Sequence, residues 1–388
     1  MIETELKKEV LNELENDILP FWITRVTDSH GGFHGRIDGM GKTDAAAPRG
    51  AVMNARILWT FSCAYRVLGK KEYLETATRA KREIIDRFID PEYGGVYWSI
   101  DAQGKPLDCK KQSYAQGFAI YGLSEYARAT GDKEALDCAS KLFEVLEQHA
   151  FDPISNGYWE ALSRDWQPLE DMRLSAKDQN DSKTMNTHLH IIEPYTCLYR
   201  VLPSERLAER IRNLIAVFAE KILRPDAHLG LFFSDDWQSH SEGISFGHDI
   251  EASWLLWEAA EVLGDENIKN ELRTLCIRIA EAADEGLDVS GGLRYEANPA
   301  DNDFHWWVEA ECIVGNFNAW KLGAGQKFFD RAVACWEFIK RDLICPDGEW
   351  YWSRRADGTP NTSDDRAGFW KCPYHNSRMC LELFERVN

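Results

Sequence analysis

The segment AVMNARILWTFSCAYRVLGKKEYLETATRAKREIIDRFIDPEYGGVYWSI, residues 51–100, decides the fold. Its first half carries apolar residues at helical spacing and stops at Leu68-Gly69, a C-terminal glycine signal. The second half, KEYLETATRAKREIIDRF, has one charged and one apolar face at the helical period. A glycine pair and alternating aromatics follow, GGVYWSI from Gly94, which is the pattern of a short β-hairpin. The unit reads helix, turn, helix, aromatic glycine loop.

That unit recurs along the chain. GGFHGRI starts at Gly31, NGYWEAL at Asn156, LGLFFSD at Leu229, GGLRYEA at Gly291 and DGEWYWS at Asp347. With Gly32, Gly95, Gly157, Gly230, Gly292 and Gly348 as anchors, the intervals are 63, 62, 73, 62 and 56 residues. Turns such as LGKKEY (68–73), TGDKEA (130–135), LGDENI (263–268) and LGAGQK (322–327) divide the helix pairs. Helix pairs that cannot bury their own apolar faces must stack on neighbours. Closure into a ring is expected, because the last unit ends in the apolar helix MCLELFERV and its loops are Trp-rich like the others. The predicted fold is all-α: an (α/α)6 barrel of six inner and six outer helices, with short β-hairpin loops on the active-site face. It makes residues 1–388 a single domain, where length alone suggests two or three. A helix over residues 2–19 is expected to complete the outer layer beside the last inner helix.

Composition narrows the function. Sixty-four acidic against 45 basic residues give a net charge of −19, which argues against nucleic acid or an anionic membrane as partner. No apolar run is long enough for a membrane span, and MIETELKKEVLNELEN lacks the apolar core of a signal peptide. The ten cysteines are scattered without C-x-x-C, so reduced thiols and a cytoplasmic location are expected. No dinucleotide fingerprint, Walker loop or G-x-S-x-G is present.

All six glycine loops lead into inner helices, so the heads of those helices share one face. Asn54 and Arg56, Tyr114 and Gln116, Asn186 and His190, His248 and Glu251, Trp306, Trp307 and Glu311, and His375 and Arg378 sit there. Polar groups and aromatics converging on an apolar-walled pocket suit a carbohydrate. In MNTHLHIIE (185–193) and SFGHDIEASW (245–254), His190/Glu193 and His248/Glu251 are spaced i, i+3, each pair on one helix face. One such pair alone reads more readily as a satisfied core histidine. Two at equivalent positions, with His375 in FWKCPYHNSRMC (369–380), point to acid–base chemistry. A di-metal reading lacks the further carboxylate pairs it needs, so no metal is expected. Trp306, Trp307 and Trp370 are expected to contact ligand, and Trp59, Trp254, Trp257, Trp320 and Trp336 to pack in the core. His188 is expected behind the site, and His30, His34, His149, His228, His240 and His305 mostly on the surface or in loops.

The strings NARILWTF, YGGVYW, FAIYGLSEY, KTMNTHLHIIE, GHDIEASWL, HWWVEAE and FWKCPYHNSRMC resemble the N-acylglucosamine 2-epimerase superfamily, and within it the branch of cellobiose and mannobiose 2-epimerases, from about residue 15 onward. The resemblance implies an (α/α)6 barrel that needs no metal or nucleotide, acts on a small disaccharide or oligosaccharide, and works as a monomer. It implies epimerisation at C2 of the reducing-end glucose of β-1,4-linked disaccharides through a cis-enediolate. His248 and His375 match the family's acid/base pair, and His190 the third histidine, associated with ring opening. Arg56 matches the arginine that stabilises the enediolate oxygens. Glu251 and Glu311 match supporting carboxylates; Tyr114, Trp307 and Trp370 match substrate-contacting aromatics. Asp178 matches an acidic residue of the 171–182 loop found in some members. An inverting glycoside hydrolase, an aldose–ketose isomerase and a non-catalytic sugar-binding module are the competing readings.

Overall fold

The structure is a computed structural model that describes residues 1–297 and 302–387. Twelve helices form two layers among the described residues. The outer layer holds α1 (residues 3–26), α3 (Lys71–Glu83), α5 (Lys133–His149), α7 (Glu205–Val217), α9 (Glu266–Ala283) and α11 (Gln326–Asp342). The inner layer holds α2 (Ala51–Leu68), α4 (Ser113–Thr130), α6 (Met185–Val201), α8 (Phe246–Leu263), α10 (Trp306–Lys321) and α12 (Tyr374–Arg386).

Sequence explains each layer. Inner helix α2 is buried on every side from Ala51 to Ala64, as its apolar sequence requires. Outer helix α7 buries only a stripe containing Leu207, Ile211 and Leu214. Gly69, Gly131 and Gly264 end α2, α4 and α8 in the left-handed conformation that a side chain resists. Asp132, Ser204 and Asp265 cap outer helices α5, α7 and α9 through their side chains. Outer helices α1, α3 and α7 close on wide π-turns, at Trp22–Val26, Ile84–Phe88 and Phe218–Ile222.

The glycine loops do form short hairpins, and they also join neighbours. The residue entering each inner helix bridges to the hairpin of the following loop: Arg49 to Ile100, Lys111 to Leu162, Lys183 to Phe233, Ser245 to Glu296 and Phe304 to Arg354. The sixth bridge joins Ala367 to Ile37 and closes the ring, with the Ile37 N–H donating to Ala367 O at 2.7 Å. As expected, the opening helix lies against the last inner one: Lys7 Nζ donates to Val387 O at 2.6 Å.

Side chains on the fourth residue of the inner helices hold the loops. Gln116, His188, Asp249 and Glu309 accept the backbone N–H of Val96, Tyr158, Leu229 and Leu293 at 2.7, 2.9, 2.9 and 3.1 Å. This corrects two expectations. Gln116 serves a loop instead of facing the pocket, and the fourth repeat's equivalent of Gly95 is His228, not Gly230, because Leu229 bridges where Val96 does. The sixth repeat corrects a third: Glu349, not Gly348, takes the left-handed place held by Gly32, Gly95 and Gly157, at φ 65°.

Candidate active site

The heads of the inner helices surround a cavity of about 480 Å³. Arg56, Tyr114, Asn186, His190, His248, Glu251, Trp306, Trp307, Trp370, His375 and Asp178 all line it. Glu311 does not; it stands behind His375.

His190 owes its position to a break in α6. Pro194, four residues on, has no N–H for the His190 carbonyl, and His190 departs from helical geometry at φ −91°, ψ 16°. Gly117 of α4 packs on that carbonyl so closely that a Cβ there would lie 2.4 Å from the oxygen. The imidazole is wedged against Tyr114 and Phe118, with ring centroids 4.9 and 5.0 Å away.

Two histidines rest on carboxylates. His190 Nδ1 lies 3.0 Å from Glu193 Oε2, and His375 Nδ1 lies 2.7 Å from Glu311 Oε1. An ionised carboxylate only accepts, so each Nδ1 carries the hydrogen and each neutral ring keeps its lone pair on Nε2. His248 is different: its Nδ1 meets the hydroxyl of Ser245, the cap of α8, at 2.7 Å. Trp307 sits between His248 and His375, at ring-centroid distances of 5.0 and 5.6 Å.

Behind these groups lies a buried ionic knot. Arg378 Nη2 donates to Glu251 Oε1 and Glu311 Oε1, each at 2.6 Å. Its Nη1 donates to Glu193, which also accepts from the Tyr374 hydroxyl. Trp254 Nε1 donates to Glu311 Oε2 at 2.9 Å. Arg56 is itself 3% exposed; its Nη2 donates to the Tyr114 hydroxyl at 2.7 Å, and its Nε has no protein partner.

Burial dominates the electrostatics. It pushes His248 down to about 3, helped by His190, and holds His375 well below the usual histidine range, helped by Arg56 and Arg378. Burial lowers His190 too, with Glu193 opposing. The Glu251 carboxyl is pushed up by burial and by Glu311, and its Oε2, 3.9 Å from His190 Nε2, accepts no hydrogen bond. Arg378 and His190 keep Glu193 below the usual carboxylate range against the upward push of burial. At neutral pH the site offers neutral imidazoles facing a cavity that also holds a guanidinium: proton acceptors beside an anion stabiliser.

Among the described residues, one group gathers metal-type ligand atoms: Glu251, Glu311 and His375, within 4.8 Å of one another. Arg378 already bridges the two carboxylates, and Glu311 also receives His375 and Trp254. A second cation there would face the guanidinium.

Residues 31–377 match the sequence profile of N-acylglucosamine 2-epimerase (GlcNAc 2-epimerase). The chain belongs to the N-acylglucosamine 2-epimerase family. A cellobiose 2-epimerase of Bacteroides fragilis is 56% identical, over 97% of this chain and 98% of that protein. The structure of cellobiose 2-epimerase from Bacillus thermoamylovorans superposes with a TM-score of 0.95 at 41% identity, covering 99% of this chain and 100% of that one. A D-mannose isomerase shares the fold, with a TM-score of 0.86 at 21% identity over 97% of each chain.

Sequence reading missed part of this epimerase-family site. Tyr295, His305, Trp352, Asp364 and the turn at residues 174–177 also line the cavity. His305, expected at the surface, is 6% exposed; its place directly before the Trp306 helix start was the available signal. His228 is likewise buried, with Nδ1 2.7 Å from Asp249. Tyr295 and Trp352 lie two residues beyond the bridging Leu293 and Trp350, where strand alternation returns a side chain to the same face. Trp306 is 3% exposed and packs on Trp352 at 4.7 Å, so it is more wall than stacking platform. His188 is structural, as expected, and Trp254 and Trp336 are core.

Proposed function

We propose that this protein is a cellobiose 2-epimerase, interconverting the glucose and mannose forms of the reducing-end sugar of β-1,4-linked disaccharides such as cellobiose, mannobiose or lactose. The observation that carries the reading is one cavity holding His190, His248 and His375 beside Arg56. His190 serves ring opening. In the open aldehyde, the C2 hydrogen is acidic enough for a neutral imidazole to remove. One of His248 and His375 takes that proton, and C2–C3 rotates in the cis-enediolate. The other, charged by a proton taken up from solvent once the anionic intermediate lies beside it, returns that proton to the opposite face, while the first releases its own to solvent. Arg56, with a free Nε–H, stabilises the oxyanion. Glu311 steadies the imidazolium formed on His375. Trp307, Trp370 and Tyr114 hold the sugars, and Asn186 and Asp178 supply polar contacts at the rim.

Inverting hydrolysis fits less well. Glu251 and Glu311 each lie 2.6 Å from the same Arg378 nitrogen, so their facing oxygens cannot be more than about 5 Å apart, whereas an inverting pair needs roughly 6.5–9.5 Å. The shared fold with D-mannose isomerase keeps ketose formation as the second reading. Family resemblance further supports a single catalytic domain acting as a monomer without cofactor. All ten cysteines are free, in keeping with a cytoplasmic setting, and no helix among the described residues is long and apolar enough to cross a membrane.

Incubation with cellobiose in D2O tests the reading. Glucosylmannose carrying deuterium at C2 is expected. A ketose product would identify an isomerase, free glucose a hydrolase, and an unchanged sugar would overturn catalysis altogether.

A further inference from the structure

Arg378 lines no part of the cavity, yet it is fully buried and touches three glutamates on three different helices. Two of those glutamates are the ones that hold catalytic imidazoles: Glu193 under His190 and Glu311 under His375. Three carboxylates enclosed together repel one another and favour protonation. A protonated carboxyl is a donor, and next to an imidazole it would give its hydrogen to Nδ1 and leave the hydrogen of a neutral ring on Nε2. The lone pair would then face the protein instead of the cavity.

We propose that Arg378 is a positioning residue that fixes the tautomer of His190 and His375 together, by keeping Glu193 and Glu311 ionised from one guanidinium. The proposal rests on the acid–base reading of the site, but it is tested without turnover. The groups facing Arg378 are Glu193 and His190 from α6, Glu251 from α8, Glu311 from α10, Tyr121 from α4 and, on its own helix, Tyr374 and His375. Its fork reaches all three acceptors at once, whereas a lysine would bring the same charge from a single point, which suffices for the tautomers if charge is what keeps the carboxylates as acceptors.

The experiment compares the full-length enzyme with Arg378→Met and Arg378→Lys, using 15N-labelled histidine. In the wild type, the neutral rings of His190 and His375 are expected to carry hydrogen on Nδ1 and none on Nε2. Arg378→Met should move one or both to the other tautomer, lower kcat by about 100-fold with KM little changed, and shift the acid limb of the kcat profile to higher pH. That sign follows because the cation lowers Glu193, His190 and His375, so its loss raises all three and the working state forms only at higher pH. Arg378→Lys keeps the charge and should keep the tautomers while recovering part of kcat. If Arg378→Met does not fold, the lysine variant decides: flipped rings there overturn the proposal. Unchanged tautomers and an unchanged acid limb in Arg378→Met overturn it as well. Wild-type product formation from cellobiose judges the proposed function separately.

Discussion

His375 and His248 differ in what stands behind them, a carboxylate for one and a hydroxyl for the other. Replacing His375 by Ala should lower kcat by about 10³-fold and remove C2 deuteration; near-normal turnover would sink its role. Ser245→Ala should cost less than tenfold, since a hydroxyl holds the ring without charge. The pH profile should show no limb near an ordinary histidine value, because burial keeps His248 at about 3. Stability has the same cause and a definite sign. An unfolded chain protonates its histidines near pH 6.5, whereas folded His188 and His248 stay neutral down to about 4 and 3. The contribution of these two rings to stability should therefore fall as pH drops from 7 to 5, and an unfolding midpoint in urea whose slope with pH over that range is the same in His188→Gln as in the wild type would contradict it. At this scale the candidate residues were legible from the repeats, and so was the pairing of His190 with Glu193; the pairing expected of His248 with Glu251 did not form, because Ser245 takes the ring and Arg378 the carboxylate. Nothing in the spacing of Glu311 and His375, 64 residues apart, announces a hydrogen bond.

At the scale of one element, α6 couples backbone to chemistry. Pro194 in HIIEPY is visible in the sequence, yet a proline can end a helix or bend it. Packing decides: Gly117 meets the freed His190 carbonyl, so the helix continues past the bend. Gly117→Ala places a Cβ 2.4 Å from that oxygen. It should cost about 1–3 kcal/mol and lower activity by displacing His190, which thermal melting and kcat together would check. The paired helices and their stops were readable because apolar period and glycine signals agree. The loop clamps were not, because they depend on contacts between residues 16 to 30 apart.

Across the whole molecule, closure depends on α1. Leu6, Val10, Leu14 and Ile18 are fully buried, worth about 1.5–3 kcal/mol each, together comparable with a domain's net stability of about 5–15 kcal/mol. Two further ties anchor the same helix: Trp22 Nε1 donates to Glu349 at 2.5 Å, and Trp350 Nε1 donates to Glu13 at 2.8 Å. Deleting residues 1–26 should abolish cooperative unfolding; a sharp melting transition in the shortened chain would refute this. Six recurrences in the sequence implied the ring, although His228 and Glu349, standing where glycine was sought, hid the true register of two repeats.

The bridge from Ala367 to Ile37 is of the same kind as the other five, so the last repeat holds the first as any repeat holds its successor. Circular permutation puts that equivalence to use. With Lys7 touching Val387, a short linker can join head to tail, and new ends can be cut at the Gly69 or Gly131 turn, at the end of the barrel away from the histidines. Such a rearranged chain should fold and keep its chemistry, since what the architecture conserves is cyclic order, and any of its six repeats can serve as the first.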